Sequence, residues 1–161
     1  MSKSSLRLTG LCAAALVAFS APALAGECPA DQVLTEQRGV EEVPDVGVKR
    51  PVLTTVDLTG WRGMGNFMLR LRRLTVAADG LVPTHSHEDR PSIVYILKGE
   101  LIEHNDRCAV PIVHREGEWS AESGKHIHWW ENKTGEEVVV LSTDVVPFKP
   151  VTKEPMLENP M

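Results

Sequence analysis

The chain has 161 residues, of which 42% are hydrophobic and 24% charged, a composition typical of one globular domain. Its formal net charge is −5 and it has no basic cluster, which excludes nucleic acid and anionic lipid headgroups as expected partners. The sequence has no nucleotide-binding loop, no nucleophile elbow and no CxxC pair, so nucleotide hydrolysis, serine hydrolysis and thiol exchange are excluded as well.

The first 25 residues have the three parts of a secretory signal peptide. Lys3 and Arg7 form a basic start, an apolar run follows from Leu11 to Phe19, and Ala23 to Ala25 gives a cleavage site of small residues. The apolar run is shorter than the roughly 20 residues that span a membrane. We expect cleavage after Ala25, which takes the net charge from −5 to −7, and a soluble periplasmic or secreted protein.

Two cysteines remain after this cleavage, Cys28 and Cys108. An even count in an oxidising compartment predicts a disulfide, which would fix the N-terminal arm to the domain. Closing so long a loop contributes about 4 kcal/mol when the stabilisation is ascribed to chain entropy. Two independent thiols are the alternative that the sequence leaves open.

Three segments follow the leader. Residues 26–51 predict an extended arm, since prolines lie among scattered charges without periodicity. Residues 52–146 contain short runs rich in Val, Ile, Leu and Thr, bounded by turn residues, which predicts an all-β sandwich or barrel. Prolines recur at short intervals over residues 147–161, so this tail is predicted to form no sheet ladder. It is either a disordered end or an arm that covers the barrel mouth or a neighbouring subunit.

Within the β domain we expect strands over residues 67–76, 93–97, 101–104, 112–114, 127–131 and 138–145. In the first, the alternation of Phe67, Leu69 and Leu71 predicts that these side chains face the core. The apolar phase then changes, and a bulge near Arg72 and Arg73 would explain the change.

Two histidine pairs carry the main chemical signal. His85 and His87 are two residues apart in an extended segment, so both rings project from one face of a strand. His126 and His128 repeat the spacing about forty residues later, and a closed barrel can bring such strands face to face. The first pair alone is equally compatible with two ordinary hydrogen-bonded histidines.

These segments resemble the two motifs of the cupin family. The first motif, Gly-x5-His-x-His-x3,4-Glu-x6-Gly, corresponds to DGLVPTHSHEDRPSIVYILKG, with the first histidine pair and Gly99 in register. The second, Gly-x5-Pro-x-Gly-x2-His-x3-Asn, corresponds to GEWSAESGKHIHWWEN, with Gly117, His128 and Asn132 in register. The resemblance covers residues 76–145 and implies a double-stranded β-helix, or jelly-roll, barrel. It also implies that His85, His87 and His128 bind one divalent metal ion.

Several positions depart from the family pattern. Asp79 stands at the position of the first glycine of the first motif, with Gly80 beside it. In the second motif, Ser123 and Lys125 replace the proline and the second glycine. These are turn positions. Ser92 stands at the glutamate position, so the usual carboxylate ligand is missing.

Three outcomes remain open at this corner of the site. Three histidines can hold Fe, Mn, Zn, Ni or Cu with water completing the shell, an arrangement that resembles thiol dioxygenases. Asp89, which has the strand parity of the histidines, can substitute for the carboxylate, or the site has lost its metal. His126 is expected to lie behind the ligands, as a proton shuttle or wall residue, or to be a fourth ligand. Glu103 and Glu122 could likewise be pocket acids, but the interpretation as surface carboxylates is favoured.

Alternation along the second histidine strand predicts that Trp130 faces the metal side and Trp129 the opposite side. Trp130 would then wall an apolar pocket for a small organic ligand. Core or subunit-contact roles for these indoles are the alternative.

The resemblance implies a metal-dependent enzyme that acts on a small organic substrate. A dioxygenase-like reaction is expected ahead of isomerase or lyase chemistry, and no catalytic residue is assigned. The alternative is a non-catalytic periplasmic protein that captures or senses a metal or small ligand, and a third possibility is a purely structural barrel. Subunit pairing is frequent among cupins, so we also expect a homodimer.

Overall fold

The computed structural model describes residues 26–148, which form seven strands and one short 3-10 helix. Their bounds are β1 Val46–Lys49, β2 Val52–Asp57, the 3-10 helix Trp61–Gly63, β3 Phe67–Lys98, β4 Glu100–Asn105, β5 Ile112–Arg115, β6 Trp119–Glu131 and β7 Val138–Pro147. No helix in this range is long and apolar enough to cross a membrane. The predicted signal peptide and nearly all of the predicted C-terminal tail lie outside the described residues.

Strand β3 is 32 residues long and contributes to both faces of a barrel. Its two ends, residues 67–76 and 92–98, flank β7, and its middle pairs with the second half of β6. One face therefore contains β5, β4, β6, the middle of β3 and β1. The other contains the start of β6, both ends of β3, β7 and β2. All pairs are antiparallel, and the predicted all-β jelly-roll architecture is confirmed.

The apolar core fills one end of the barrel. Its members share inward positions on four strands and are Leu74, Val76, Val82, Val94, Ile96, Leu101, Trp130, Val138 and Val140. Removing each of the larger aliphatic side chains from water contributes about 1.5–3 kcal/mol. The other end of the interior is polar, and the histidines lie there.

The side chains of β3 keep one phase from Arg70 to Val76, so the predicted change of phase is wrong. Arg72 and Val76 line the interior cavity, whereas Leu69 is 37% exposed on the outer face. The arginines occupy inward positions because Asp144 on β7 supplies a buried counter-charge, with Arg70 Nη2 2.7 Å from Asp144 Oδ2.

The predicted bulge also lies elsewhere. The ladder between β3 and β7 is unbroken from Phe67 to Val76. The irregularity is on the opposite neighbour, β2, where Leu53 is the extra residue between two successive pairs with β3. A bulge in the partner strand leaves the alternation of β3 unchanged.

The departure from the cupin pattern at Asp79 has a local explanation. Asp79 has a φ of 57°, in the left-handed region that Asp tolerates better than most residues. A Cβ on Gly80 would lie 2.8 Å from the carbonyl oxygen of Ala77, so only glycine fits there. Asn132 closes the same corner, since its Nδ2 donates to the carbonyl oxygens of Val76 at 3.0 Å and Ala77 at 2.9 Å.

The N-terminal arm is held against the barrel near the polar end. Cys28 and Cys108 form a disulfide with a Cα–Cα distance of 5.7 Å. Gln37 Nε2 donates to Asp106 Oδ2 at 2.7 Å, so the arm also covers a buried carboxylate. Strand β1 lies within the segment assigned to the arm and pairs with β3. Its side chains are mostly exposed, which is why its sequence shows no alternation.

Candidate metal centre

Three histidines converge on the inner faces of β3 and β6. His85 is paired with His128 across the two strands, and His87 follows on β3. Between Val82, which pairs with Trp130, and His85, β3 contains one more residue than β6. Such a bulge reverses the facing of the residues that follow it. Both histidines therefore face the same interior as Val82 despite their odd spacing from it.

The three imidazoles point one nitrogen each at a common centre. His128 Nε2 lies 3.0 Å from His87 Nε2 and 3.2 Å from His85 Nε2. Nitrogens about 2.1 Å from one ion are about 3.0–3.4 Å apart in octahedral or tetrahedral coordination. His87 and His128 are 2% and 0% exposed, so the centre is shielded from solvent on their side. The observed spacing fits a single ion.

Each ring is oriented through its other nitrogen. The Nδ1 atoms of His85, His87 and His128 donate to the carbonyl oxygens of Pro83 and Arg90 and to Glu103 Oε1, at 2.8, 2.9 and 2.7 Å respectively. A proton held on Nδ1 leaves the lone pair of a neutral ring on Nε2. All three lone pairs therefore face the centre.

The electrostatics keep these rings neutral. Burial, with repulsion from His128, lowers the pKa of His85 to about 3 against the hydrogen bond to Pro83. Burial lowers the pKa of His87 to about 4, and it also lowers the pKa of His128 despite the bond to Glu103. Neutral imidazole is the form that binds a metal. Lone pairs that face one another at 3.0–3.2 Å repel, and a cation between them removes that repulsion.

Glu122 supplies a carboxylate at the corner where Ser92 lacks one. The two residues are paired across β3 and β6. Glu122 Oε2 lies 3.2 Å from His87 Nε2, and Oε1 lies 3.8 Å from His128 Nε2. Glu122 is 3% exposed, so its interpretation as a surface carboxylate is wrong. The structure therefore brings a carboxylate to this corner from the neighbouring strand.

Within residues 26–148, no Lys or Arg side chain lies at ion-pair distance from Glu122. Burial, together with repulsion from Glu103, raises the pKa of Glu122 to about 8, against smaller effects of Ser92, Arg90 and Arg72. Its Oε1 is buried and has no hydrogen-bond partner among residues 26–148. An unpartnered buried oxygen is costly, and a cation at the histidine centre would satisfy it.

Asp89, the predicted substitute for the missing carboxylate, is exposed. Asp89 does not share the facing of His85 and His87 because the ladder between β3 and β6 is irregular after His87. The pairs His87–Gly124 and Ser92–Glu122 enclose more residues of β3 than of β6. Alternation counted from His87 therefore does not extend to Asp89.

Glu103 holds His128 from the side opposite the centre. Besides His128 Nδ1, it accepts hydrogen bonds from His114 Nε2 at 2.9 Å and His126 Nε2 at 3.0 Å. Burial alone would raise the pKa of Glu103, but these three bonds outweigh it and hold the pKa well below its usual range. Glu103 is 2% exposed, so its interpretation as a surface carboxylate is also wrong. An ionised carboxylate behind a ligand histidine fixes its tautomer and raises its basicity.

His126 lies behind the ligands rather than among them. Its ring centroid is 4.6 Å from that of His128, and its Nδ1 lies 3.3 Å from Asp106 Oδ1. Glu103, His126 and His128 are close enough to hold an ion of their own. However, one oxygen of Glu103 already accepts from both rings, so hydrogen bonding accounts for this group.

The centre opens onto a cavity of about 290 Å³. Trp130 lines this cavity, with its ring centroid 5.6 Å from that of His128. Trp129 packs on the other side of β6 and stacks on His104 at 3.9 Å. The aliphatic part of the wall is formed by Leu74, Val76, Val82, Val94, Ile96, Leu101 and Val140. Arg50, Arg72 and Arg90 form a cationic part, which the sequence analysis did not identify.

Comparison with known proteins identifies the fold. No protein-family model matches the sequence, and no curated protein sequence matches it either. Among solved structures, the cupin domain of Schizosaccharomyces pombe Cnp3 superposes with a TM-score of 0.51 at 12% identity, over 65% of this chain and 64% of that one. The chain thus matches less than two thirds of the Cnp3 structure, and at this identity the likeness shows the fold alone.

Two further structures give lower scores. A Cupin_2 domain of an XRE family transcriptional regulator from Enterobacter cloacae has a TM-score of 0.49 at 15% identity, covering 61% of this chain and 95% of that one. KdgF from Halomonas sp. has a TM-score of 0.48 at 13% identity, covering 65% and 82%.

Proposed function

We propose that this chain, whose fold is that of the cupins, binds one divalent metal ion through His85, His87 and His128, with Glu122 as a fourth protein ligand. The observation that carries this proposal is the set of three inward Nε2 lone pairs beside a buried carboxylate oxygen that has no partner in the described range. Each histidine is already anchored through Nδ1, so the site is organised before an ion arrives.

The donor atoms restrict which metals the site is expected to bind. Three imidazole nitrogens with one carboxylate oxygen suit zinc, iron, manganese, nickel and copper, whereas calcium and magnesium favour all-oxygen sites. Glu103 behind His128 is the kind of carboxylate partner that supports a metal-binding histidine. We therefore place a transition metal or zinc at this centre.

We further propose that the protein is an enzyme acting on a small organic molecule. The cavity of about 290 Å³ reaches His85 and His87, so a small substrate can approach the ligand nitrogens from the barrel interior. A bound divalent ion supplies Lewis-acid or redox chemistry at such a position. A dioxygenase-like reaction is our first choice, with isomerase or lyase chemistry as alternatives.

The test is elemental analysis of the protein purified without chelator, beside three variants. About one equivalent of metal is expected in the wild type, and loss of it in His85→Ala and in His128→Ala. His104→Ala is the matched control, because His104 is bonded to Glu131 and stacked on Trp129 away from the centre. Absence of metal after reconstitution, or equal metal in all four proteins, would contradict the proposal. Bound metal without turnover of any tested organic substrate would favour the capture protein over the enzyme.

We also propose that the chain is exported and cleaved after Ala25. The disulfide between Cys28 and Cys108 supports export, since such bonds persist in oxidising compartments. N-terminal sequencing of protein recovered from the periplasm or medium should begin at Gly26. An N-terminus that still carries the leader would contradict it.

A homodimer is proposed on one face of the barrel. Ile93, Tyr95 and Leu97 on β3 and Trp119 on β6 are exposed, and Tyr95 pairs directly with Trp119. An apolar sheet face of this kind is typical of a subunit contact. Light scattering should give twice the chain mass for the wild type and the single chain mass for Tyr95→Glu. A monomeric wild type would contradict the proposal.

A further inference from the structure

The cavity wall has more arginines than carboxylates, with Asp45 and Glu122 as its acidic residues, although the whole chain is acidic. Arg50, Arg72 and Arg90 line the cavity, in a chain whose formal net charge is −5. Arg50 is paired with Asp45 at the cavity margin. Arg72 and Arg90 have side chains only 11% and 26% exposed, so their charges act inside the barrel rather than in bulk water.

One carboxylate serves three of the guanidinium groups. Asp144, whose side chain is fully buried, accepts two hydrogen bonds from Arg70 at 2.9 and 2.7 Å and one from Arg72 at 2.9 Å. Arg90 Nη1 lies 3.7 Å from the same carboxylate. The cluster therefore carries an excess of two positive charges, and buried charge without a counter-charge is costly.

Arg72 also has unused donor capacity. Its Nη2 donates to Asp144 and to Ser142 Oγ, the latter at 3.0 Å. Its Nε is buried and has no acceptor within residues 26–148. Burial lowers the pKa of Arg72 against the attraction of Asp144, and the charges of Arg70, Arg90 and Arg50 lower it further. An added anion would satisfy both the charge and the donor.

The arginine cluster and the metal corner lie in one row across the sheet. Arg70 is paired with Asp144, Asp144 with Ser92, and Ser92 with Glu122. Adjacent strands are about 4.8 Å apart, so the backbone positions of Asp144 and Glu122 are separated by about 10 Å. A molecule of a few carbon atoms can span from the guanidinium groups to the histidine centre.

We infer that the cavity binds a small organic carboxylate, with its carboxylate group on Arg72 and Arg90 and its hydrocarbon part against the aliphatic wall. Guanidinium groups bind carboxylates through paired, charge-assisted hydrogen bonds. The aliphatic wall next to them favours a carboxylate that carries hydrocarbon over a bare inorganic ion. This inference names the ligand class of the proposed site and rests on the proposed function for the role of the metal, but the arginine contacts do not require it.

The test is calorimetric titration of the purified, zinc-loaded protein with butanoate, hexanoate and benzoate, each beside its neutral amide. Acetate and inorganic phosphate are added as anions with little or no hydrocarbon. At least one of the three larger carboxylates should bind tenfold or more tightly than its amide. The preference should fall at least tenfold in Arg90→Met, which loses only a 3.7 Å contact with Asp144 and should fold normally.

Two further variants separate recognition from the structural ion pair. Arg72→Met should also lose the preference. Arg70→Met removes the strongest partner of the same Asp144 but no residue of the cavity wall, so it should keep the preference within about twofold. Zinc content, measured for every variant, should stay near one equivalent.

The outcomes are distinguishable from those of the proposed function. Equal binding of carboxylates and amides, no binding of either, or full preference in Arg90→Met would overturn the inference even if zinc is bound. Arginine-dependent binding of phosphate alone would replace the carboxylate with a phosphate group. If zinc does not bind, an arginine-dependent carboxylate preference in the chelator-treated protein would retain this inference and reject the metal centre.

Discussion

The two carboxylates on either side of His128 are equally buried but have opposite protonation behaviour. Glu103 is 2% exposed and Glu122 is 3% exposed. Glu103 accepts hydrogen bonds from three imidazoles, which outweigh burial and hold its pKa well below the usual range. Burial raises the pKa of Glu122 to about 8, and the charge of Glu103 adds to that rise. Donors at bonding distance, rather than depth, decide which buried carboxylate is charged.

This difference separates a carboxylate whose oxygens are both hydrogen-bonded from one that has an unsatisfied oxygen. Glu103 has its partners within the folded chain and orients His128 whether or not an ion is bound. Glu122 has one oxygen without a partner in the described residues, and that oxygen lies on the side of the inward nitrogens. Substitutions of the two residues should therefore have different effects with and without metal.

The largest effect is expected for Glu103→Gln. Removing the charge from a buried carboxylate that binds His114, His126 and His128 should destabilise the metal-free protein by about 3 kcal/mol. The free energy of unfolding in urea measures this. Glu100→Gln is the control, because Glu100 is 39% exposed and its pair with Arg115 should contribute less than about 1 kcal/mol. Equal stability of the two variants would contradict a structural role for Glu103.

The next largest effect is the dependence of the free energy of unfolding on pH, which we assign to Glu122. Its pKa is about 8 in the folded protein and near 4.5 when unfolded, so the folded state binds the proton more tightly. Stability of the metal-free protein should therefore fall as pH rises from 4.5 through 8. Between pH 6 and 9 the loss should be about 2–3 kcal/mol. Glu122→Gln should lack this loss, as measured by unfolding at both pH values; parallel curves for the two proteins would refute the assignment.

A smaller effect is expected for metal affinity. Glu122→Gln should weaken zinc binding about 10- to 100-fold, or roughly 1.4–2.7 kcal/mol, because a neutral amide replaces a carboxylate beside His87. Competition with a chelator of known affinity measures the change. Ser92→Ala is the control that alters the facing position on β3 without removing a charge. Unchanged affinity in Glu122→Gln would remove Glu122 from the ligand set.

No effect is expected for Asp89→Asn. Asp89 is exposed, so we expect its carboxylate to contribute neither to the histidine centre nor to the stability of the barrel. Zinc affinity and stability should match the wild type within twofold and about 0.5 kcal/mol. The same chelator competition and urea unfolding serve as the measurements. A tenfold loss of zinc affinity would restore Asp89 as the substitute carboxylate and argue against Glu122.

The sequence predicts those features that depend on local periodicity. Short apolar runs between turn residues predict the β barrel, and the two-residue histidine spacing singles out rings that the structure does bring together. Their role as metal ligands stays a prediction. Trp130 lies at the cavity, where simple alternation from His128 puts it.

Features that depend on partners distant in the sequence cannot be predicted from local periodicity. Glu122 reaches the site because Ser92 pairs with it, and that register follows an irregular stretch of β3 that the sequence does not mark. Arg70 and Arg72 face inward because of Asp144, more than 70 residues away. Without knowledge of that carboxylate, the more apolar set of leucines predicts the opposite facing for this strand.

The position of β7 between the two ends of β3 has a consequence for biosynthesis. β7 is synthesised after the other described strands. It pairs with both ends of β3, and it brings Asp144 to the arginines. A nascent chain that ends before β7 therefore has two open strand edges and an unneutralised cationic interior. Pairings between such distant segments form slowly, and open edges are prone to aggregate. We expect the barrel to close in one late cooperative step, after synthesis of β7.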